Sequence, residues 1–169
     1  MLKKNLSEFK ENIFDELAYK WGIVTAGNQK TGFNCLTVSW GGIGILWGKQ
    51  VAYIFVRKSR HTYQFLENSD SVTISFLNDN YKEAKNLIGT ASGRDMDKVK
   101  EAGLHYTYDP DFDGAYLEEC DYCFKMKKLY SVDLPTDSLD KTIIDRYYPT
   151  GDPHTMYVCE IKQFLVKER

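Results

Sequence analysis

The sequence lacks the long apolar runs that membrane proteins need. No apolar run approaches the ~20 residues with which an α-helix crosses a bilayer. The first residues, MLKKNLSEFKENIF, alternate charged and apolar side chains and lack the apolar centre of a signal peptide. These absences predict a cytoplasmic protein with no membrane partner.

A large excess of charge of one sign is lacking as well. The formal net charge is −2 and the pI is about 5.9. Proteins that bind nucleic acid usually present a strongly basic surface, so the composition predicts no nucleic-acid partner. Any binding of an anion must therefore depend on a local group of basic residues.

A second cysteine pair is missing, and the spacing of the four cysteines argues against a metal site. Among the four cysteines, Cys120 and Cys123 form a C-x-x-C motif, which could be a redox pair or half of a zinc site. A structural zinc site normally has a second such pair, and the sequence has none. We therefore expect no metal, and reduced thiols in a cytosolic protein.

Two glycine motifs that bind nucleotides are also missing. The chain has no G-x-x-x-x-G-K-[ST] loop. Gly42-Ile-Gly44 has no third glycine at the required spacing and no helix after it. These absences argue against a P-loop nucleotide site and against a dinucleotide-binding Rossmann unit.

What the sequence does contain is a high proportion of aromatic residues, 14%, with twelve tyrosines. Aromatic and β-branched residues favour strands, so the composition favours a mainly β fold. The length of 169 residues fits one domain, residues 1–169. Six or seven strands with interspersed helices predict a β-barrel with helical decorations.

The positions of apolar residues, glycine and proline define the predicted elements. Strands are predicted at 22–27, 33–40, 45–47, 50–57, 71–77, 123–134 and 155–166. Helices are predicted over 6–19, after Arg60, over 81–103 with a break at 89–93, and over 138–148. A tight corner is predicted at 41–44 and a loop at 105–120.

The stretch RKSRHT, residues 57–62, is a candidate anion-binding corner. It follows a buried strand, precedes a helix, and contains no acidic residue. A helix start offers free N–H groups, and arginine binds phosphate in a bidentate way. The alternative is that these basic side chains are solvated or paired with surface acids. The stretch by itself leaves both interpretations open.

Five motifs together resemble a known family. They are Phe33-Asn-Cys-Leu-Thr-Val-Ser-Trp40, Gly41-Gly-Ile-Gly-Ile-Leu-Trp47, Val56-Arg-Lys-Ser-Arg-His-Thr62, Gly89-Thr-Ala-Ser-Gly-Arg-Asp-Met-Asp-Lys98 and His154-Thr-Met-Tyr-Val-Cys-Glu-Ile161. In this order, over about residues 20–166, they resemble the flavin reductase-like FMN-binding split barrels, most closely the flavoredoxin type. The departures from the family pattern are Leu36, Gln50, Lys58 and Cys159, and none removes an obvious ligand group.

The resemblance implies that the anion at the corner is the 5′-phosphate of FMN. It implies that the phosphate is surrounded by Arg57, Ser59, Arg60 and Thr62. It also implies that the isoalloxazine ring lies along Asn34, Leu36, Thr37 and Ser39. The main-chain groups of this strand would bond the polar edge of the ring, since a strand edge offers donors and acceptors at fixed spacing.

The resemblance also implies roles for residues outside these two motifs. Ser92 and Lys98 would approach the flavin, the lysine near its pyrimidine edge, and His154 would be the catalytic residue near the reactive face. Trp40 is interpreted equally as a wall of the flavin site or as a core residue, and Trp47 as core. Without the resemblance, Lys98 reads as a solvated helix lysine and His154 as a turn residue.

The implied function is that of an FMN-binding oxidoreductase. It would move electrons from NADH or NADPH, or from a redox protein partner, through FMN, and it would be a homodimer with flavin near the subunit interface. The alternative is a non-catalytic FMN-binding protein, a flavin store or sensor. An open flavin face would favour the enzyme, and a face blocked by Tyr or Trp side chains would favour the binder. A related barrel for a vitamin B6 compound or haem is disfavoured by the motifs at 33–40 and 92–98.

Overall fold

The computed structural model describes residues 1–168, in which ten β-strands account for most of the regular structure. The strands are β1 (Leu2–Lys4), β2 (Gly22–Asn28), β3 (Gly32–Val38), β4 (Gly41–Leu46), β5 (Lys49–Arg57), β6 (Ser71–Phe76), β7 (Tyr106–Asp109), β8 (Gly114–Leu117), β9 (Tyr122–Asp133) and β10 (His154–Val166). The α-helices are α1 (Ile13–Asp15), α2 (Thr62–Asn68), α3 (Lys82–Thr90), α4 (Lys98–Glu101) and α5 (Lys141–Tyr147). Short 3₁₀ turns lie at Leu6–Glu8, Asp79–Tyr81 and Thr136–Ser138, and a π-helical turn at Glu16–Lys20.

One antiparallel sheet forms the body of the molecule. Its order is β3-β2-β6-β9-β10-β5-β4, with β1 added beside β10. Side chains of β3 and β5, near opposite ends of this order, share one apolar core, so the sheet must curve into a barrel. β3 and β4 are consecutive in the chain but do not pair, and Ser39 and Trp40 connect them. Within residues 1–168 the outer edge of β3 therefore has no strand partner.

The apolar residues of the strands fill two layers. Inside the barrel lie Val24, Leu36 and Phe124, all less than 9% exposed. On the other face of β2 and β3, Ile23 and Cys35 pack in a second cluster with residues of α3 and β8. Ile23 and Val24 point to opposite faces of β2, yet both are 0% exposed, so helices and the β7–β8 hairpin cover the strand from outside. Burial of one such aliphatic side chain contributes about 1.5–3 kcal/mol.

Most of the predicted elements are confirmed. The strands predicted at 22–27, 50–57, 71–77, 123–134 and 155–166 match β2, β5, β6, β9 and β10 within two residues at each end. The hairpin from β2 into β3 is present, and so are the helix after Arg60 and the break in the helical segment 81–103. The mainly β, split-barrel fold predicted from the sequence is confirmed.

The predicted helix over 6–19 is wrong, because the segment forms separate short turns. The Asn5 side chain accepts a hydrogen bond from the N–H two residues later, and Asn12 does the same. Each asparagine therefore caps a new turn and interrupts the helix. The spacing of Leu6 and Ile13 nevertheless identifies residues that are partly buried, since both pack against the barrel core.

The corner predicted at 41–44 is also wrong, because these residues belong to β4. A Cβ on Gly41 would lie 2.5 Å from the Tyr53 carbonyl oxygen, so glycine is needed for close contact with β5 rather than for a turn. The turn comes later, at Trp47 and Gly48, where Trp47 adopts a φ of 53°. Trp47 is 60% exposed, so its interpretation as a core residue is wrong.

The loop predicted at 105–120 contains a hairpin instead. β7 and β8 pair with Tyr106 opposite Leu117, and Pro110 lies in the turn between them. Proline and aspartate in that turn gave the whole segment a loop-like composition. Leu117 is fully buried against the outer face of the sheet, which explains why a hairpin forms here.

The helices are short, and α2, α3 and α4 lie beside β3. The longest, α3, has nine residues and packs against β3, and α4 begins with the buried Lys98. No helix in residues 1–168 has the length and apolar character needed to span a membrane. α3, α4 and the loop between them therefore shape the surroundings of the free strand edge.

Candidate functional site

Two clefts follow one another along β3. The Trp40 cleft, about 310 Å³, is lined by Leu36, Thr37, Val38, Ser39, Trp40, Phe55, Val56, Arg57, Arg60, Tyr147 and His154. The Met96 cleft, about 500 Å³, is lined by Phe33, Asn34, Cys35, His61, Phe65, Gly93, Arg94, Asp95, Met96, Asp97, Lys98, Val99 and Tyr106. Because both clefts take residues from β3, an elongated ligand lying along this strand would reach into both.

A third cleft lies away from this region. It measures about 580 Å³, near the amino-terminal segment, and is lined by residues that include Glu11, Glu16 and Lys20. None of the predicted site residues lines it. The volume of a cleft therefore does not identify the functional site, whereas the predicted site residues lie together around β3.

The four predicted ring contacts, three on β3 and Ser39 directly after it, do not share one face of the strand. Leu36 points into the barrel core and is 5% exposed, whereas the Thr37 hydroxyl points outward and donates to the Lys85 carbonyl of α3 at 2.6 Å. Side chains alternate along a strand, so only a ligand at the strand edge could reach all four positions. Its contacts would then be mainly with the main chain.

Asn34 is held in place from two directions. Its side-chain carbonyl accepts a hydrogen bond from the Thr62 hydroxyl at 2.8 Å, and Thr62 is the buried first residue of α2. From the other side, a Cβ on Gly93 would lie 2.1 Å from the Asn34 amide nitrogen. The loop before α4 therefore approaches β3 so closely that position 93 requires glycine.

Lys98 is buried under β3 rather than solvated. Its ammonium donates to the carbonyls of Cys35 at 2.6 Å and Ile88 at 3.0 Å. Burial lowers the pKa of this ammonium. Because Lys98 reaches the Cys35 carbonyl from outside the sheet, that carbonyl points away from β2. The direction of main-chain groups repeats every two residues in an antiparallel strand, so those of Thr37 also point away from β2.

Ser92 stabilises the loop between α3 and α4. Its hydroxyl accepts a hydrogen bond from the Arg94 N–H at 3.2 Å, and its carbonyl accepts one from the Asp95 N–H at 3.1 Å. The Arg94 guanidinium then donates to the Ser59 carbonyl at 3.2 Å. This loop is thereby tied to the stretch 57–62.

Both arginines of that stretch line the Trp40 cleft. Arg57 donates to the carbonyls of Tyr147 at 2.7 Å and Asp152 at 2.9 Å. Arg60 donates to the Gly89 carbonyl at 2.7 Å, and its partial burial lowers the pKa of its guanidinium. Each guanidinium has five N–H donors, so these bonds leave further donors on both side chains.

Acidic residues from other segments pair with Lys58 and Ser59 of this stretch. Lys58 forms an ion pair with Asp133. Ser59 donates from its hydroxyl to one Asp152 carboxylate oxygen at 2.5 Å and from its N–H to the other at 3.4 Å. Lys58 is thus the basic residue of the stretch that pairs with a surface acid, whereas Arg57 and Arg60 donate to main-chain carbonyls.

His154 begins β10, opposite Arg57 in the strand register. Its Nδ1 hydrogen-bonds to the Tyr148 hydroxyl at 2.8 Å. Burial, with the nearby Arg57 charge, lowers the pKa of His154 to about 4, so the imidazole is neutral at pH 7. The reading of His154 as a turn residue is therefore wrong.

Aromatic side chains surround this histidine. The Trp40 ring lies 4.9 Å from the His154 ring and 5.0 Å from that of Tyr147. Trp40 is 39% exposed, so it is a wall of the Trp40 cleft rather than a core residue. Trp40, Tyr147 and His154 therefore form an aromatic wall of the Trp40 cleft.

The sequence reasoning missed Tyr147, Tyr148 and Asp152. They lie just before the motif at 154–161 but outside it, and hydrogen bonds with Arg57, Ser59 and His154 hold them at the site. Arg94 lies within the motif at 89–98 but was not among the predicted site residues. Arg94 contacts Ser59, which belongs to a different motif, so no pattern in the neighbouring sequence predicts this contact.

Comparison with known families agrees with this geometry. The family profile described as "Flavin reductase like domain" matches residues 14–169. None of the curated proteins matches the sequence.

Several solved structures have the same fold. The flavoredoxin of Desulfovibrio vulgaris (Miyazaki F) is 21% identical, with a TM-score of 0.70 over 99% of this chain and 78% of that one. A split-barrel protein from Shewanella frigidimarina NCIMB 400 is 15% identical, with a TM-score of 0.71 over 92% and 71% of the two chains. An FMN-binding protein from Thermus thermophilus with bound 1-cyclohex-2-enone is 14% identical, with a TM-score of 0.69 over 98% and 80%. At these identities the likeness shows a shared split-barrel fold.

Proposed function

Since this chain belongs to the family of flavin reductase-like domains, we propose that it binds FMN along the outer edge of β3 and acts as an FMN-dependent oxidoreductase. The observation that carries the proposal is a pair of clefts along the edge of β3 that has no strand partner within residues 1–168, one of them lined by Arg57 and Arg60. Binding sites for cofactors are commonly concave, with a few convergent polar groups.

The groups around the clefts suit the parts of FMN. Arg57 and Arg60 supply guanidinium donors of the kind that bind phosphate. The outward main-chain groups of Thr37 would pair with the polar edge of the flavin ring. Asn34 and Ser92 would lie beside the flavin, and Lys98 would act through the strand that its ammonium supports.

FMN and the protein would contribute differently to the reaction. When bound, FMN would supply the electron and hydride chemistry, and the protein would supply position, electrostatics and access. His154 is neutral at pH 7 and its Nδ1 is engaged by Tyr148, so Nε2 is the nitrogen left to exchange a proton with a ligand in the Trp40 cleft. His154 is therefore the proposed catalytic residue.

The electron donor is proposed to be NADH or NADPH, or a redox protein. The test is anaerobic stopped-flow absorbance of FMN-loaded protein mixed with each nucleotide. Rapid loss of the oxidised-flavin band with either nucleotide supports a flavin reductase and names its donor. A colourless preparation that binds no added FMN contradicts the whole proposal.

A second candidate is a non-catalytic FMN-binding protein. Trp40 and Tyr147 support it, because their edge-to-face pair lines the cleft in which a donor would meet the flavin. In that case neither nucleotide would bleach the flavin, while dithionite would still reduce it.

We also propose a homodimer, as the family resemblance implies. Phe14, Tyr19, Ile45 and Trp47 are large apolar side chains and each is at least 60% exposed. Apolar exposure of this kind, on the amino-terminal segment and on β4, is typical of surfaces that pack against another chain.

A further inference from the structure

The corner at 57–60 already holds an anion, the carboxylate of Asp152. Its two oxygens accept from the Ser59 hydroxyl and the Ser59 N–H, and its main-chain carbonyl accepts from Arg57. Asp152 adopts a φ of 61°, a left-handed conformation that is uncommon outside glycine, between Gly151 and Pro153. The backbone thus takes a less favoured conformation at the residue whose carboxylate reaches Ser59.

A carboxylate and a phosphate would compete for the hydrogen-bond donors of Ser59. Both are anions that only accept hydrogen bonds, and the Ser59 hydroxyl has one proton to donate. Two like charges within a few ångströms also repel each other. The phosphate of FMN could therefore use Ser59 only after the Asp152 carboxylate has left it.

We propose that Asp152 is a specificity-determining residue, whose carboxylate occupies the phosphate position and lowers the preference of the site for FMN over riboflavin. This rests on the proposed binding of FMN beside Arg57 and Arg60. Riboflavin has the same ring and no phosphate, so it does not compete with the carboxylate.

The proposal also couples the corner to the catalytic end of the site. Asp152 lies in the segment that joins α5 to β10 and that contains Tyr148 and His154. Arg57 holds this segment by the carbonyls of Tyr147 and Asp152. When a phosphate displaces the Asp152 carboxylate, the segment that leads to His154 loses its contact with Ser59, while Arg57 keeps its bonds to the two carbonyls.

The test compares the dissociation constants of FMN and riboflavin, measured by quenching of flavin fluorescence. The variant is Asp152→Asn, because asparagine also accepts a left-handed φ and so preserves the backbone. Loss of one negative charge beside the phosphate should tighten FMN binding about five- to tenfold and leave riboflavin binding unchanged. The matched control is Asp133→Asn, which removes an equal charge paired with Lys58 rather than Ser59 and should leave the ratio of the two constants unchanged.

The outcomes separate this proposal from the proposed function. An unchanged ratio in Asp152→Asn, or an equal change in Asp133→Asn, overturns the role of Asp152 while FMN binding stands. If neither the wild type nor Asp152→Asn binds either flavin, both proposals are overturned. A wild type that binds riboflavin well, with strong FMN binding only in Asp152→Asn, supports the role of Asp152 most directly.

Discussion

At the scale of single residues, Lys58 and Arg60 are two basic side chains with different surroundings. Lys58 is exposed and paired with Asp133, whereas Arg60 is partly buried and lines the Trp40 cleft. We predict that Arg60→Ala weakens FMN binding by about 10- to 100-fold, since a hydrogen bond to a charged group contributes about 1.5–3 kcal/mol. Fluorescence titration with FMN measures the effect.

The control for this prediction is Lys58→Ala, which should change the dissociation constant of FMN by less than about twofold because exposed ion pairs contribute little. Riboflavin, which has no phosphate, should bind both variants as it binds the wild type. Equal losses of FMN affinity in the two variants would refute the assignment of Arg60 to the phosphate.

His154 gives a prediction about stability and pH. Its pKa in the folded protein is about 4, below its value in an unfolded chain, so the unfolded state binds more protons as the pH falls from about 6.5 towards 4. The stability that the neutral histidine maintains at pH 7 is lost across this range. Between pH 7 and pH 5, the free energy of unfolding should therefore fall by about 1 kcal/mol less in His154→Gln than in the wild type, after allowance for solvent screening.

Urea denaturation of both proteins at the two pH values measures that difference. His105 is an informative control because its pKa is raised by Glu119, so its contribution to stability has the opposite dependence on pH. His105→Gln should not reduce the acid-induced loss. If the loss is the same in His154→Gln and the wild type, the histidine is not held neutral by its surroundings.

At the scale of structural elements, the contact between the α3–α4 loop and β3 depends on Gly93. A Cβ at this position would meet the Asn34 amide at 2.1 Å and the His61 ring at 3.0 Å. Gly93→Ala must displace the loop or the Asn34 side chain, and overpacking of this kind costs about 1–3 kcal/mol. We expect a fall in Tm of about 2–10 °C by differential scanning fluorimetry, with weaker FMN binding.

Gly42→Ala is the matched control for this variant, because a Cβ on Gly42 would have no neighbouring atom within 4 Å. Its Tm should change by less than about 2 °C, since substitutions in open space have small effects. A similar fall in both variants would show that loss of glycine itself, rather than the approach to Asn34, causes the effect.

The elements that the sequence predicted well have strong periodic patterns of their own. β2, β5 and β10 carry long apolar or alternating runs, and local composition is enough to identify them. The elements predicted wrongly depend on contacts made elsewhere. β7 and β8 form because the hairpin covers the outer face of the sheet, and β4 needs Gly41 for its close contact with β5.

At the scale of the whole molecule, the site could be predicted only where it follows motifs in the chain. β3 and the stretch 57–62 were predicted, and the fold brings them together through the Thr62–Asn34 hydrogen bond. Asp152 reaches the same corner from a segment more than 90 residues later in the chain. Such a contact is set by the closure of the barrel, and no local pattern reports it.

The proposed homodimer gives the last prediction. A chain of 19.6 kDa that exposes Ile45 and Trp47 should show twice this mass by light scattering at micromolar concentration. Glutamate at either of these positions places a charge in the apolar surface of β4, so Ile45→Glu and Trp47→Glu should shift the mass towards the monomer. Ile143→Glu, at an exposed apolar position on α5, should not. A wild-type monomer with flavin bound would contradict both the dimer and a flavin site that depends on a subunit interface.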